Sequence, residues 1–457
     1  MLRIAVPVIL AELGWMGMGV VDTVMVGPLG PAAIAAAGVG NSLHIAFAIF
    51  GMGLLLGLDT LVSQAFGARR IDDCHRWLFH GVVLALVLTP ALLLVCGLVY
   101  VAIPWLGFHP DVQPLLQNYF AVILWSSPFL LLYAAFRRYL QGVHLVTPVM
   151  IALVTANLVN AGGNWVFIYG RFGLPALGVA GSAWATVLAR LYMAAFLFIA
   201  IVRADRWHAA DRRRVWRFDS SWLRRLVRLG FPAASTVALE VGVFAAATAL
   251  AGKLAPVSAA SHQIALNIAA VAFMIPLGLA SAGAVRVGHA VGARDADRAA
   301  AAGWTAILLG GAFMAMAAAS FVLMPRMLIG LFTRDAAVLA LGSSLLFVAA
   351  IFQLFDGLQG VTTGVLRGLG DTRTPMITNL AAHWLFGLPV GYTFCFTWEY
   401  GVIGLWVGLS TGLILAGGVM LFVWNRQIHR LARQLDLENL TPPAPPAPPV
   451  RLRSHPS

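Results

Sequence analysis

The feature that most constrains this chain is a succession of long apolar runs, separated by short stretches of charge, proline or glycine. Twelve follow one another, at approximately 4–26, 32–58, 78–103, 115–136, 148–169, 176–200, 228–250, 258–284, 301–324, 340–363, 376–398 and 401–424. Coiled as α-helices, runs of about 20 residues match the hydrocarbon thickness of a bilayer. Lipid offers the backbone no hydrogen bonds, so such runs must adopt a structure that satisfies its own N–H and C=O groups. The expected fold class is an all-α polytopic membrane protein with twelve transmembrane helices. Composition decides one point: 11% of the residues are charged, against roughly a quarter in soluble domains, too few to coat a water-facing exterior. Cys74, Cys96 and Cys395 are scattered, with neither metal spacing nor a disulfide framework. The first run lacks a clear basic region and small-residue cleavage site, so it is expected to stay as the first span.

The net charge is +12, and arginine supplies 29 of the 30 positive residues. In a soluble chain that excess would suggest nucleic acid; between spans its placement is what matters. Threading twelve spans puts both termini on one side. That side collects Arg3, Arg69, Arg70, Arg76, Arg137, Arg138, Arg286, Arg294, Arg298, Arg367, Arg373, the 203–228 connection and the tail arginines. The opposite side receives Arg171, Lys253, Arg326 and Arg334. Cytoplasmic loops are enriched in Arg and Lys, so both termini are expected in the cytoplasm, with no nucleic-acid partner. The central DRRRVWRFDS stretch then reads as a joint whose arginines face anionic headgroups.

The halves are related. Shifting the first by 225 residues lays LGPAAIAAAG at Leu29 over LAPVSAASHQ at Leu254, Gly67-Ala68-Arg69 over Gly292-Ala293-Arg294, and Asp72 over Asp297. A second correspondence joins Leu140-Gln141-Gly142 to Leu366-Arg367-Gly368, then Thr147-Pro148 to Thr374-Pro375 after a one-residue adjustment. Six spans return a chain to its starting side, so two such bundles share orientation and a pseudo-twofold axis along the membrane normal. That design suits alternating access around a central path; a duplicated structural scaffold is the alternative. The expected units are an amino-terminal six-helix lobe over 1–202, a cytoplasmic connection over 203–225, a carboxy-terminal six-helix lobe over 226–424 and a cytoplasmic tail over 425–457. The tail is expected to be disordered toward its PPAPPAPP end.

A carboxylate inside a span is costly unless it faces a cavity, has a partner or takes a proton. Glu12, Asp22, Asp59, Glu240 and Asp356 lie within or near spans. Glu12 and Asp59 are closer to helix ends, where solvent or a local polar group is expected to satisfy them. Asp22, in GMGVVDTVMVG, is a candidate to bind a proton or metal cation. Asn160 and Asn164 are four apart in NAGGNWVFIYG, so a helix presents both amides on one face, where they would complete a polar cavity. Helix–helix hydrogen bonding is the competing reading for all three. Glu240, in STVALEVGVFA, and Asp356, in FQLFDGLQG, would hold a cation when ionised and release it when protonated, unless a neighbouring amide or hydroxyl simply pairs with them. His262, Gln263 and Asn267 form a polar face better suited to packing than to proton transfer. Aromatic residues such as Trp15, Phe50, Trp165 and Phe355 offer faces to a lipophilic cation, although lipid-facing and core positions use the same residue types.

These segments carry a family likeness. VDTVMVG at Val21, NAGGNWVFIYG at Asn160, the Glu240 helix leading into SAASHQIALN, PLGLASAGAVRVGHAVGA at Pro276 and DGLQGVTTGVLRGLGDTRTP at Asp356 make the chain resemble the multidrug and toxic compound extrusion family, in its bacterial NorM-like branch, over nearly all twelve spans. The resemblance implies secondary active export of lipophilic or cationic organic compounds in exchange for sodium ions or protons, without a cofactor, in a bacterial inner membrane. By likeness, Asp22 matches the first-span acid, Asn160 and Asn164 the fifth-span polar pair, and Thr186 a sixth-span hydroxyl. Glu240 and Asp356 match the acids of a carboxy-terminal cation site, and a sodium site would draw on Asp22, Asn160, Asn164, Glu240 and Asp356. Some members carry tyrosine four residues before the last acid; here Phe352 offers no hydroxyl. Amphipathic or cationic small molecules and membrane lipids are the expected partners, and a monomer the working unit. A lipid-linked-precursor flippase would instead want basic side chains along the cavity. An intramembrane enzyme would need a catalytic set such as HExxH, which the sequence lacks. A passive channel would couple no gradient.

Overall fold

The structure, a computed structural model, describes residues 1–205 and 216–440. Residues 206–215 of the expected central connection and the PPAPPAPP tail lie outside the described residues. The elements are α1 (Leu2–Val26), α2 (Pro31–Leu54), α3 (Gly57–Gly67), α4 (Ile71–Ala102), α5 (Gln113–Ile123), α6 (Ser127–Gly142), α7 (Val146–Tyr169) and α8 (Val179–Asp205). They continue as α9 (Ser220–Ala251), α10 (Pro256–Gly292), α11 (Ala296–Leu323), α12 (Pro325–Gly330), α13 (Ala336–Leu369), α14 (Arg373–Asn379), α15 (Leu388–Tyr392) and α16 (Gly401–Leu440).

Counting α2 with α3 and α5 with α6 as continuous crossings, 11 helices among the described residues are long and apolar enough to span a bilayer. The twelfth crossing is broken: α14 and α15 alternate with π-helical turns at Leu380–Gly387 and Thr393–Thr397, over the run expected at 376–398. Pro389 cannot donate to an i−4 carbonyl, and wide turns absorb the mismatch. Glycines then seat this crossing on α16: a Cβ on Gly404 would lie 2.6 Å from Cys395 N, and one on Gly408 would run into Gly391. Elsewhere the helices outrun the apolar segments that announce them. The second crossing reaches Gly67 rather than 58, and the last reaches Leu440 rather than 424. Apolarity marks only the hydrocarbon slab, and a helix continues into charged residues wherever water or a counter-charge serves them.

The cores follow the two halves. One cluster of buried apolar residues runs from Ala11 to Ala234 and another from Ala251 to Leu413; a third packs Ile4, Ala5, Val8 and Val146 among Leu279, Val365 and Trp424. The duplication recurs in backbone detail. α3 and α10 both end on a left-handed arginine, Arg69 at φ 57° and Arg294 at φ 59°. Beyond each, Arg70 N–H donates to Ala65 O and Asp295 N–H to Ala290 O, both at 2.9 Å. α6 and α13 end alike, on His144 at φ 69° and Gly370 at φ 96°. A left-handed arginine is uncommon, so its recurrence at equivalent ends marks a shared frame.

The lobes meet through contacts that obey a twofold relation. A Cβ on Gly67 would run into His289 O, and one on Gly292 into Gln64 O. The 225-residue shift exchanges Gly67 with Gly292 and Gln64 with His289, so this is one contact seen twice, as an isologous interface requires. A second such pair sets Gly53 against Ala234 Cα, at 2.6 Å, and Gly278 against Ile9 Cα, at 3.0 Å. Gly288 faces Ser63, its own counterpart, and therefore lies near the axis. Around these contacts Thr60 Oγ1 donates to Arg367 O at 2.5 Å, Gln64 Nε2 to Gly368 O at 3.1 Å and His289 Nε2 to Gly142 O at 2.7 Å. Arg76 reaches Asp219 at 2.9 Å, and the rings of Trp77 and Trp222 lie 4.2 Å apart. All these tie the lobes at the arginine-rich end that carries the first residues of α1. Among the described residues no hydrogen bond or ion pair joins the lobes at the opposite end.

Candidate functional site

Asp22 lies near the end of α1, half-buried, where α7 and α8 converge on it. Asn160 and Asn164 donate through Nδ2 to its Oδ1 at 3.0 and 2.8 Å, and Thr186 Oγ1 donates to its Oδ2 at 3.1 Å. The three donors are buried and the acid is not fully so, an arrangement that leaves a carboxylate reachable yet fixed by neutral partners. One turn along α8 from Thr186 stands Arg190, also buried. Its Nη1 donates to Ser126 Oγ at 2.5 Å and to His44 Nδ1 at 3.2 Å, and His44 Nε2 lies 3.0 Å from Ser127 Oγ. Sequence reasoning that weighs only acids overlooks Arg190; its signal was a guanidinium inside the apolar run 176–200.

The carboxy-terminal lobe holds a separate cluster. Glu240 lies half-buried on α9 and Asp356 is buried on α13. Gln359 Nε2, contributed by the same helix as Asp356, lies 3.4 Å from Glu240 Oε2 and 3.3 Å from Asn379 Oδ1. Gln359 was legible as the polar residue one turn beyond Asp356; Asn379, in the broken crossing, gave no spacing signal. Gln359 Oε1 and Asn379 Nδ2 are buried and have no hydrogen-bond partner among the described residues. Phe352 does not line this cluster openly: it is 1% exposed and packs on Trp406 at 5.6 Å. His262 is used between helices, accepting from Trp406 Nε1 at 3.0 Å and meeting Thr248 Oγ1 at 3.0 Å. No hydrogen bond among the described residues connects the Asp22 cluster to the Glu240 cluster. The donors expected to share a sodium site thus fall into two groups, one per lobe.

Glu12 and Asp59 differ from expectation. Both are buried, and neither is solvated. Glu12 pairs with Arg137 of α6. Asp59 Oδ2 lies 3.4 Å from Arg138 Nη1 and 3.3 Å from Arg367 Nε of the other lobe. The threading expects these arginines in loops; they sit inside α6 and α13 because opposite charges offset their desolvation. The Asp59–Arg367 pair has no symmetry mate, since the residue 225 positions beyond Asp59 is Ala284.

Comparison with known proteins agrees with this architecture. The MatE family model matches residues 7–166 and again residues 232–393, the second match beginning 225 residues after the first. The probable multidrug resistance protein NorM of Mesorhizobium japonicum is 36% identical over 435 residues, which cover 93% of this chain and 93% of that protein. The multidrug resistance protein MdtK of Edwardsiella ictaluri is 33% identical over 449 residues, covering 96% and 97%. A solved outward-facing conformation of a multidrug resistance MATE family transporter of the MOP superfamily shares the fold, with a TM-score of 0.83 at 21% identity over 94% of this chain and 96% of that one. With both halves matched by the same family model and relatives aligned along nearly its full length, the chain belongs to the MatE family of multi-pass membrane transporters.

Proposed function

We propose that the protein is a secondary active antiporter of a bacterial inner membrane, exporting lipophilic or cationic organic compounds in exchange for sodium ions or protons. The observation that carries this reading is the pairing of two intramembrane acid clusters, Asp22 with Asn160, Asn164 and Thr186, and Glu240 with Asp356 and Gln359, with lobes tied, among the described residues, at one end only. The names of the relatives, multidrug resistance proteins, support small organic compounds as the cargo.

The arginine asymmetry supports cytoplasmic termini; on that reading the tied end is the cytoplasmic one and the described state opens outward. In that state a cation or proton entering from outside would reach the half-buried Asp22 and Glu240. Carboxylate and amide oxygens suit a hard cation, and the same carboxylates take protons. Occupation lowers the local negative charge and so weakens the hold on a cationic compound, which leaves to the outside. The lobes, over 1–202 and 226–424, then rock so that the seam parts and a new compound enters from the cytoplasm or inner leaflet; the return step releases the coupling ion inward. The ion gradient drives the cycle within one monomer, without a cofactor. The partly accessible acids disfavour an anionic lipid-linked precursor as cargo. Reconstitution in liposomes tests the reading: amphipathic cations should be moved uphill under an imposed sodium or proton gradient. Absence of coupling to either gradient across a panel of such compounds would overturn it.

A further inference from the structure

A cavity of about 460 Å³ opens at the tied end, between the lobes. Thr60 and Gln64 of α3 form one wall, and Arg225, Arg228, Asp371 and Arg373 line the rest. The hydrogen bonds of Thr60 and Gln64 to the Arg367 and Gly368 carbonyls hold the walls together. One acid faces three arginines, and its oxygens are engaged elsewhere. Asp371 Oδ1 accepts the Thr374 N–H at 3.0 Å, while Oδ2 accepts the Thr374 hydroxyl at 2.6 Å and Gln427 Nε2 at 2.5 Å. Among the described residues no carboxylate lies within ion-pair distance of Arg225, Arg228 or Arg373; Arg225 instead lies over the Trp77 ring at 6.0 Å. A general excess of arginine on one membrane face does not account for three that converge on one two-walled cavity.

The geometry points to a binding site for a phosphate-class anion, either a phospholipid headgroup or a soluble phosphate, whose occupation braces the closed seam. The basis is three guanidinium groups that no described carboxylate neutralises: their forks match phosphate oxygens bidentately. The volume falls within the roughly 300–1,000 Å³ of small-ligand sites, and basic pockets between helices at the cytoplasmic face are suited to anionic headgroups. Because each lobe supplies one wall, parting of the seam dismantles the site, and a bound anion favours the closed arrangement through that difference in affinity. The site is independent of the cargo and of the coupling ion.

Thermal unfolding of the purified full-length protein in neutral detergent tests it, with short-chain phosphatidylglycerol, short-chain phosphatidylcholine or inorganic phosphate added. Phosphatidylglycerol is expected to raise the midpoint by about 2–4 °C over phosphatidylcholine in wild type and in the control R326Q/R334Q, whose arginines lie at the opposite end. The rise should vanish in R228Q/R373Q, and shrink in R373Q if the double variant does not fold. An equal rise with inorganic phosphate alone identifies a soluble source; a rise with phosphatidylglycerol alone identifies the lipid. An unchanged rise in the variants, or no rise with either anion, overturns the proposal.

Discussion

In the amino-terminal lobe one carboxylate, Asp22, accepts three hydrogen bonds from neutral donors; in the carboxy-terminal lobe there are two carboxylates, and Gln359, on the same helix as Asp356, donates its amide to Glu240. Yet these lobes share helix ends, turn geometry and a twofold seam. The counterpart of Asp22 under the 225-residue shift is Ala247, and that of Glu240 is Trp15. Duplication thus accounts for the frame and the hinge surface, whereas each acid cluster belongs to its own lobe. A fixed frame needs glycines at matched positions, because backbones must approach closely. The acids need only a polar pocket, and the two lobes build that pocket from different helices. Neighbouring carboxylates repel unless a cation or proton lies between them, whereas a single carboxylate held by three donors is already satisfied; under the proposed function the two lobes would hold their ions with different strengths.

Substitutions at the seam and in the two acid clusters test this contrast. Asp59→Ala should have the largest effect on stability: it leaves Arg138 and Arg367 facing one another without their carboxylate, at a cost of about 3–5 kcal/mol, read as a fall in the unfolding midpoint. Gly67→Ala and Gly292→Ala should each cost about 1–3 kcal/mol by overpacking the same contact from opposite sides. Clearly unequal losses would contradict the twofold relation at the seam. Gln359→Ala removes the amide donor to Glu240 and should tighten proton binding there more than Asn164→Ala does at Asp22, where two donors remain and the change is about 1 kcal/mol, or roughly fivefold in affinity. Isothermal titration of sodium, or of protons released, separates the two.

The smallest effect concerns Asp219, outside the spans. The Ser221 hydroxyl and backbone N–H, together with Arg76, hold its carboxyl below the usual aspartate range. A lowered folded-state value means its contribution is present above the ordinary aspartate pKa and is lost as pH falls through the lowered one. Wild type should therefore lose slightly more stability than Asp219→Asn between neutral and acid pH, measured by midpoint against pH.

Much of this was legible in the sequence. Lipid leaves the backbone one local solution, so the crossings followed from apolar length, and the repeat followed from Gly67-Ala68-Arg69 and its partner. The Asp22 cluster was readable because Asn160 and Asn164 share a helix face. What escaped were pairings across distance. Asp59 meets Arg367 only because the seam brings α3 to α13, and no local period encodes that approach. Arg137, Arg190 and Arg367 were hidden by their neighbourhood: beside a turn, or in a run otherwise apolar, a buried arginine resembles a solvated one until its partner is seen. The broken crossing falls on the run expected at 376–398, but that run announces neither its wide turns nor the close seating of Gly387 and Gly391 on α16.

The central claim, that exchange runs on the acids of both lobes, is most directly tested by substrate flux in liposomes under separate sodium and proton gradients, with Asp22→Asn, Glu240→Gln and Asp356→Asn compared to wild type. Each substitution should lower gradient-driven flux by about tenfold or more, equivalent to about 1.4 kcal/mol of lost coupling, or change the number of ions moved per substrate. Wild-type flux and an unchanged ion-to-substrate ratio in all three variants would contradict it.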